Sequence, residues 1–260
     1  MLSQQQIDQA AQHLITARKA EKPGPCIPES CRPADVDSAL AIQDRVLELL
    51  GESIGGWKCG LPNPVTGPII SHIASSALLR SSKCAVFGGK GQIEPEIAFL
   101  IARDLPPRAT PYSTPYNDDE IRAAIGEARF VLELITTRFA DKASATPPEI
   151  LADAFNNHGL VIGPVVPDVF QYDLDKLHAK ITTPSGALFD KVQPHPSGNP
   201  MNSMRWLVHF LNSRGQGLKA GQIVTTGSYA GIVDAPLQTP IHVELGGFGV
   251  LDVELITAGR

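Results

Sequence analysis

The sequence lacks any run of apolar residues approaching the roughly 18 that a membrane span requires. Its opening stretch, MLSQQQIDQAAQHL, has no basic segment followed by an apolar one, so no export signal is expected and the protein is read as cytoplasmic. Lysine and arginine are scattered rather than clustered, and a formal charge of -5 provides no basic field for a polyphosphate; nucleic acid is not an expected partner. Cysteine is scarce. The four residues, at 26, 31, 59 and 84, fit neither a CxxC zinc pattern nor a dense disulfide framework, and are read as reduced thiols that fill space. Internal repeats and low-complexity tracts are absent as well.

What remains is an ordinary globular composition. With 260 residues, 43% of them hydrophobic and 19% charged, the chain can bury a substantial core as one large domain, or as one with a small helical appendage. Ile7, Ala11, Leu14 and Ile15 share one helical face behind a candidate N-cap at Ser3. A second helix is expected after the prolines at 23 to 33, with Leu40, Val46, Leu47 and Leu50 supplying contacts and Gly51 stopping it. From Gly55 onward, strand and turn signals dominate. Glu94 to Leu100 alternates as an extended strand. Asn117 and Glu120 resemble a capping box for a short helix through Ile121, Ile125 and Ala128, running into an apolar strand from Phe130 to Ile135. A hairpin is expected at 177–189, a helix after Asn199 and Pro200, a strand at 223–226, and a final hairpin built from 241–245 and 250–255.

Glu94 and Glu96 stand two apart on their strand, so both carboxylates leave the same face. Taken alone, that spacing also describes a solvated strand face. Glu133 adds information because it interrupts the apolar run Phe130, Val131, Leu132, Leu134, Ile135, where a buried carboxylate needs a partner. Two partners are open: a cation, in which case three carboxylates without histidine suit Mg²⁺ or Mn²⁺, or a salt bridge to Arg138 or Arg129. Lys58, between the glycines of GGWKCGL, is either a proton shuttle whose pKa is lowered by apolar surroundings or a lysine guarding an edge strand.

Six stretches, AIQDRVLELL at 41, GGWKCGLPNP at 55, IEPEIAFLIARDLP at 93, VLELITTRF at 131, ADAFNNHGLVIG at 152 and GNPMNSMRWLVHFLNSRGQGLKAGQIVTTGS at 198, resemble in order and spacing the 2-oxopent-4-enoate hydratase and 4-oxalocrotonate decarboxylase branch of the fumarylacetoacetate hydrolase superfamily. The resemblance implies an α+β fold with a mixed β-roll core at 56–260 behind a helical N-terminal region at 1–55. It further implies Glu94, Glu96 and Glu133 as ligands of Mg²⁺ (or Mn²⁺), Lys58 as the catalytic lysine, and a homo-oligomer. Leu61, Asn156, Asn157 and Ser228 are candidate contacts to a small 2-oxo acid. Three departures are visible. Thr136 replaces the usual aspartate, Asn156 and Asn157 replace small hydroxyl residues, and the segment from Pro62 to Ser82 is short and lacks an expected acidic residue.

The resemblance carries a mechanism. A 2-oxo acid chelates a divalent cation that stabilises its enolate, Lys58 moves a proton, and water adds to C4 of a 2-oxo-3-enoate to give a 4-hydroxy-2-oxo acid. The same enolate would serve decarboxylation or C–C bond hydrolysis. Hydrolases of the superfamily use a histidine with a glutamate; His158, His195 and His72 are the candidates for that role, and His72, in SHIASSALL, has no acidic neighbour in sequence. Hydratase, decarboxylase and a non-enzymic partner subunit are therefore the competing readings.

Overall fold

The structure, a computed structural model, describes residues 1–108 and 114–257. In chain order the elements are α1 (Gln4–Lys19), α2 (Val36–Leu50), β1 (Ile54–Asn63), β2 (Gly67–Ala74), β3 (Leu78–Leu79), β4 (Lys83–Val86), β5 (Gly91–Ile101), α3 (Asp118–Ala124) and β6 (Ile125–Ile135). There follow α4 (Pro147–Ala152), β7 (Asn157–Val166), β8 (Lys176–Thr183), β9 (Gly186–Pro194), α5 (Pro200–Ser213), β10 (Ile223–Ser228), β11 (Val233–Ala235), β12 (Pro240–Leu245) and β13 (Val250–Thr257). Two sheets result. One runs β2-β1-β10-β5-β6-β7-β3, with β11 also paired to β5, and the other runs β4-β13-β12-β8-β9. This is a mixed α+β fold, as the sequence predicts.

The local chemistry that starts and stops the helices is explicit. Ser3 forms a capping box with Gln6, Asp35 accepts the Ser38 amide, and Gly51 ends α2 in the left-handed conformation at φ 68°. Asn117 and Glu120 form the expected capping box of α3. That helix stops earlier than the sequence suggests. Ile125 and Ala128 lie in β6, not in α3, because their backbone pairs with β5, Ile125 opposite Ile101 and Ala128 opposite Phe99. Leu50 is a second correction: it is exposed in the last turn of α2, whose buried face is carried by Ala39, Leu40, Ile42 and Val46.

A single apolar cluster joins Ala10, Leu14 and Ile15 of α1, Ile42 and Val46 of α2, Phe99 of β5, Phe130 and Leu132 of β6, Met204 and Leu207 of α5, and Val243 and Leu255 of the second sheet. Cys31, Cys59 and Cys84 are buried and Cys26 half-buried, all as free thiols. Among the described residues no helix is long and apolar enough to cross a membrane. What matters for the site is that β5 and β6 are interior strands, and that β6 is buried on both faces from Phe130 to Ile135. A side chain there has no solvent to face.

Candidate active site

Register creates the site. In the antiparallel pairing of β5 with β6, Glu94 and Glu133 are direct partners, and Glu96 leaves the same face of β5 two residues on. The three carboxylates thereby offer oxygens that all lie within 4.8 Å of one another. Like charges set directly across two strands repel, and here Glu96 and Glu133 are only 1% and 0% exposed. The arrangement requires compensation.

Part of it comes from Lys58. Its Nζ stands 3.0 Å from Glu133 Oε2 and 3.6 Å from Glu94, and 5.8 Å from the centre of the Phe155 ring. β1 lies between β2 and β10, so Lys58 guards no sheet edge. Its pKa is also corrected by the structure: burial pulls it down, but Glu133, Glu94 and Glu96 outweigh burial and hold it above the ordinary lysine range. Arg138 and Arg129 do not reach Glu133. Arg138 lies past the end of β6 and turns back to Asp153, while Arg129 pairs with Glu127 at 2.6 Å.

Neutral donors orient the carboxylates. Thr225 Oγ1 and the Gly227 amide both donate to Oε2 of Glu96, the amide at 2.9 Å, made possible by a bulge where β10 slips against β5 between Thr225 and Ser228 and by Gly227 at φ 118°. Asn157 Nδ2 donates to Glu133 Oε1 at 2.7 Å. The other oxygen of Glu133 receives no directed hydrogen bond and meets Lys58 only as a charge. Burial, then the neighbouring Glu133 and Glu94, raise Glu96 to about 8; burial likewise raises Glu133, against the pull of Lys58 and Asn157. Two carboxylates that resist ionisation beside one ammonium make a site short of positive charge.

Asn157 is placed by an unusual turn. Ala154, Phe155 and Asn156 all adopt left-handed conformations, at φ 52°, 49° and 62°, and for non-glycine residues each such conformation costs about 1–3 kcal/mol. Arg138 holds the turn from inside. Fully buried with Asp153, it binds the Asp153 carboxylate and carbonyl, and its Nη1 donates to the Asn157 carbonyl at 2.8 Å, so one guanidinium spans both ends. The turn presents Phe155 and Asn156 to a cleft of about 580 Å³ whose walls also include Lys58, Leu61, Glu94, Glu96, Ile135, Lys142, Gly227 and Ser228. Asn156 Oδ1 is buried there without a hydrogen-bond partner.

The sequence candidates are thus mostly brought together. Lys58, Leu61, Glu94, Glu96, Asn156 and Ser228 line the cleft; Glu133 and Asn157, joined to one another, are buried behind that lining, where Glu133 meets Glu94, Glu96 and Lys58. Ser228 spends its hydroxyl on the carbonyls of Pro95 and Gly231, both at 3.3 Å. Thr136, buried beneath, binds Asn156 through its amide. Of the three histidines none lines the cleft. His72 does have an acidic neighbour, Asp44 at 3.4 Å, supplied by α2 rather than by its own strand; the pair sits behind β1, where Trp57 packs edge-on to the ring. Sequence reasoning missed Thr225, Gly227, Phe155 and Lys142. A second depression, about 380 Å³ on the five-stranded sheet, has its charges already matched, Lys83 with Glu254 and His242 with Asp252.

A divalent cation fits the residues present. The donor set is all oxygen, Glu133 keeps an undirected buried oxygen, and Thr225 and Gly227 crowd one oxygen of Glu96 while leaving the other. Three carboxylates against one ammonium also leave two negative charges to be matched when all are ionised.

No protein-family model matches the chain. Its fold is shared with fumarylpyruvate hydrolase from Pseudomonas aeruginosa, in complex with Mn²⁺ and pyruvate, which superimposes with a TM-score of 0.53 at 15% identity, over 77% of this chain and 88% of that one. Two further proteins are similar over nearly the whole length. 4-Oxalocrotonate decarboxylase from Pseudomonas putida G7, complexed with magnesium and adipate, gives a TM-score of 0.81 at 19% identity, covering 98% of this chain and 99% of that one. 2-Keto-4-pentenoate hydratase of Paraburkholderia xenovorans (strain LB400) is 22% identical over 272 residues, 97% of this chain and 96% of its own length.

Proposed function

We propose that the protein is a divalent-metal-dependent hydratase that adds water to a 2-hydroxy-2,4-dienoate, giving a 4-hydroxy-2-oxo acid. The observation that carries this reading is the register-paired trio Glu94, Glu96 and Glu133 converging beside Lys58 at the floor of a cleft. The whole-length likeness to a protein named as a 2-keto-4-pentenoate hydratase supports it. A bound Mg²⁺ or Mn²⁺ would supply Lewis-acid polarisation of the 2-oxo acid head.

The chain's own residues have separable tasks. Thr225 and Gly227 fix Glu96, and Asn157 fixes Glu133, so the carboxylates are set before any ligand arrives. Lys58 is the group positioned to move a proton along the dienoate, because it lines the cleft, is largely buried and holds its Nζ beside the carboxylates. Lys58 is kept protonated by the carboxylates; once a divalent charge offsets them, burial remains and the lysine can release its proton more readily. Asn156 Oδ1, an acceptor without a partner, is suited to orient the attacking water.

The runner-up, decarboxylation of a 2-oxo-3-enedioate, draws support from the decarboxylase that shares the fold over nearly its full length. The two part on one measurement. With Mg²⁺, 2-hydroxypenta-2,4-dienoate should lose its conjugated absorbance with no CO₂ released, and Lys58→Ala should lower kcat by about 10²–10⁴-fold while Mg²⁺ still binds. Release of CO₂ from a dicarboxylic 2-oxo acid with the dienoate untouched would hand the assignment to the decarboxylase. Full turnover in Lys58→Ala would remove the lysine from the mechanism.

A further inference from the structure

Phe155 and Asn156 of the left-handed turn line the cleft, but Ala154 and Asn157 line a second, smaller cavity of about 50 Å³. Its other polar walls are Arg18 from α1, Gln43 from α2, His72 from β2 and His158 from β7, and among the described residues no carboxylate lines it. Most of these groups are committed. The Gln43 amide donates to the carbonyls of Ile70 and Leu151 and accepts from the His72 amide, His158 Nε2 donates to the Ala85 carbonyl at 3.0 Å, and Asn157 Nδ2 is taken by Glu133. Two are not. Arg18 makes no hydrogen bond or ion pair among the described residues, and its Nε is sealed from solvent. His72, only 6% exposed, has Nδ1 buried without a partner, while Nε2 stands 3.4 Å from Asp44. The contrast with Arg138 is direct: that guanidinium, bound to the same turn, has Asp153 as its counter-charge. Burial and the charge of Arg138 press the Arg18 pKa down to about 9, against the pull of Asp153.

We infer that this cavity binds one small monovalent anion of the halide class against Arg18 and His72, and that the anion braces the turn before β7. A guanidinium turned away from water without a counter-charge is costly, and one unmatched positive charge calls for one negative charge. The volume admits an ion of chloride size with a water or two, and is too small for a phosphate ester or a substrate. The remaining walls, Val46, Leu47, Ala77 and Ala152 among them, are aliphatic and suit a weakly hydrated ion. With its proton on Nδ1, the His72 ring is the second donor. An ion held there packs against Ala154 and Asn157, so that opening the turn would release it. Because Asn157 also donates to Glu133, the brace extends to the carboxylate site from behind. The inference uses no step of the reaction proposed above and stands or falls apart from it.

The probe is bromide, a heavier halide with an anomalous X-ray signal. Crystals of the full chain grown in sodium bromide should show an anomalous peak beside Arg18, and crystals of Arg18→Met should show none there. In solution, without divalent metal, sodium chloride should replace sodium gluconate at constant ionic strength. At about five times the dissociation constant of chloride, the melting temperature should rise by about 2–4 °C, and amide hydrogen exchange at Asn156 and Asn157 should slow about sixfold. Arg18→Met should lose both responses, yet be no less stable than wild type in gluconate, since it removes the charge along with the need to match it. A wild-type crystal without the bromide peak, or a chloride response that persists in Arg18→Met, overturns the site. A peak accompanied by unchanged exchange at Asn156 and Asn157 overturns the brace.

Discussion

Two five-residue strings in this chain are almost the same: Leu132-Glu133-Leu134-Ile135-Thr136, at the end of β6 and one residue beyond it, and Val253-Glu254-Leu255-Ile256-Thr257 in β13. Both lie on interior strands, yet the glutamates have opposite fates. Glu254 is half-buried and its Cα partner on β4 is Lys83, an opposite charge facing water. Glu133 has no exposure and its partner on β5 is Glu94, a like charge in the protein interior. The same contrast recurs at Glu244, which pairs across to Lys180 on β8. One sheet neutralises its carboxylates strand by strand, whereas the other gathers them. A cross-strand neighbour of the same sign, buried, is the mark that separates a site from a surface.

The sharpest way to break this comparison is to neutralise both glutamates in turn. Glu133→Gln should weaken Mg²⁺ binding by more than about a hundredfold, beyond what loss of an outer partner produces, and abolish turnover with it. Glu254→Gln should leave both unchanged. Equal effects in isothermal titration would mean that the convergence at Glu133 has no functional weight.

Next in size is the contrast between buried and exposed ion pairs. Arg138→Met strands Asp153 in the interior and frees both ends of the left-handed turn. Breaking such a pair costs about 3–5 kcal/mol, readable as a lower urea midpoint. Lys83→Met, at a solvent-screened pair on the other sheet, should leave that midpoint where it was.

The smallest effect is on pH dependence. Glu96 is raised from 4.5 to about 8 when no cation is present, so the folded state holds a proton that the unfolded chain has released. Metal-free stability contributed by that proton is complete below about 4.5 and is lost as pH climbs through about 8. The melting temperature in EDTA should fall across that window, and the gain on adding Mg²⁺ should grow across it, since the cation binds the ionised form. A metal-free melting temperature that rises over the same range would contradict the burial of like charges.

Much of the scaffold was legible because its signals are local. Ser3, Asn117 and Asn199 cap the helices they were expected to cap, and the alternation in Glu94–Leu100 is that of β5. The three glutamates stood out because carboxylates in apolar strands are costly. The remainder depended on contacts between distant segments. Thr225 meets Glu96 across 129 residues, and the glycine of VTTGS, though a usual mark of a bulge, does not say which carboxylate the freed amide will face. The α3–β6 boundary was misplaced because the helical spacing of Ile125 and Ala128 was overruled by strand pairing. The direction of the Lys58 shift was missed for the same reason: apolar neighbours in sequence suggested desolvation, while its neighbours in space are three carboxylates.

The left-handed turn has a consequence for how this protein can change over time. Phe155 and Asn156 shape the cavity, and the very next residue steadies Glu133. A lineage that altered the turn to admit a new molecule would disturb its hold on the cation in the same stroke. Novelty should therefore accumulate on the opposite wall, around Leu61 and Ile232, where a side chain can be exchanged without touching the apparatus beneath.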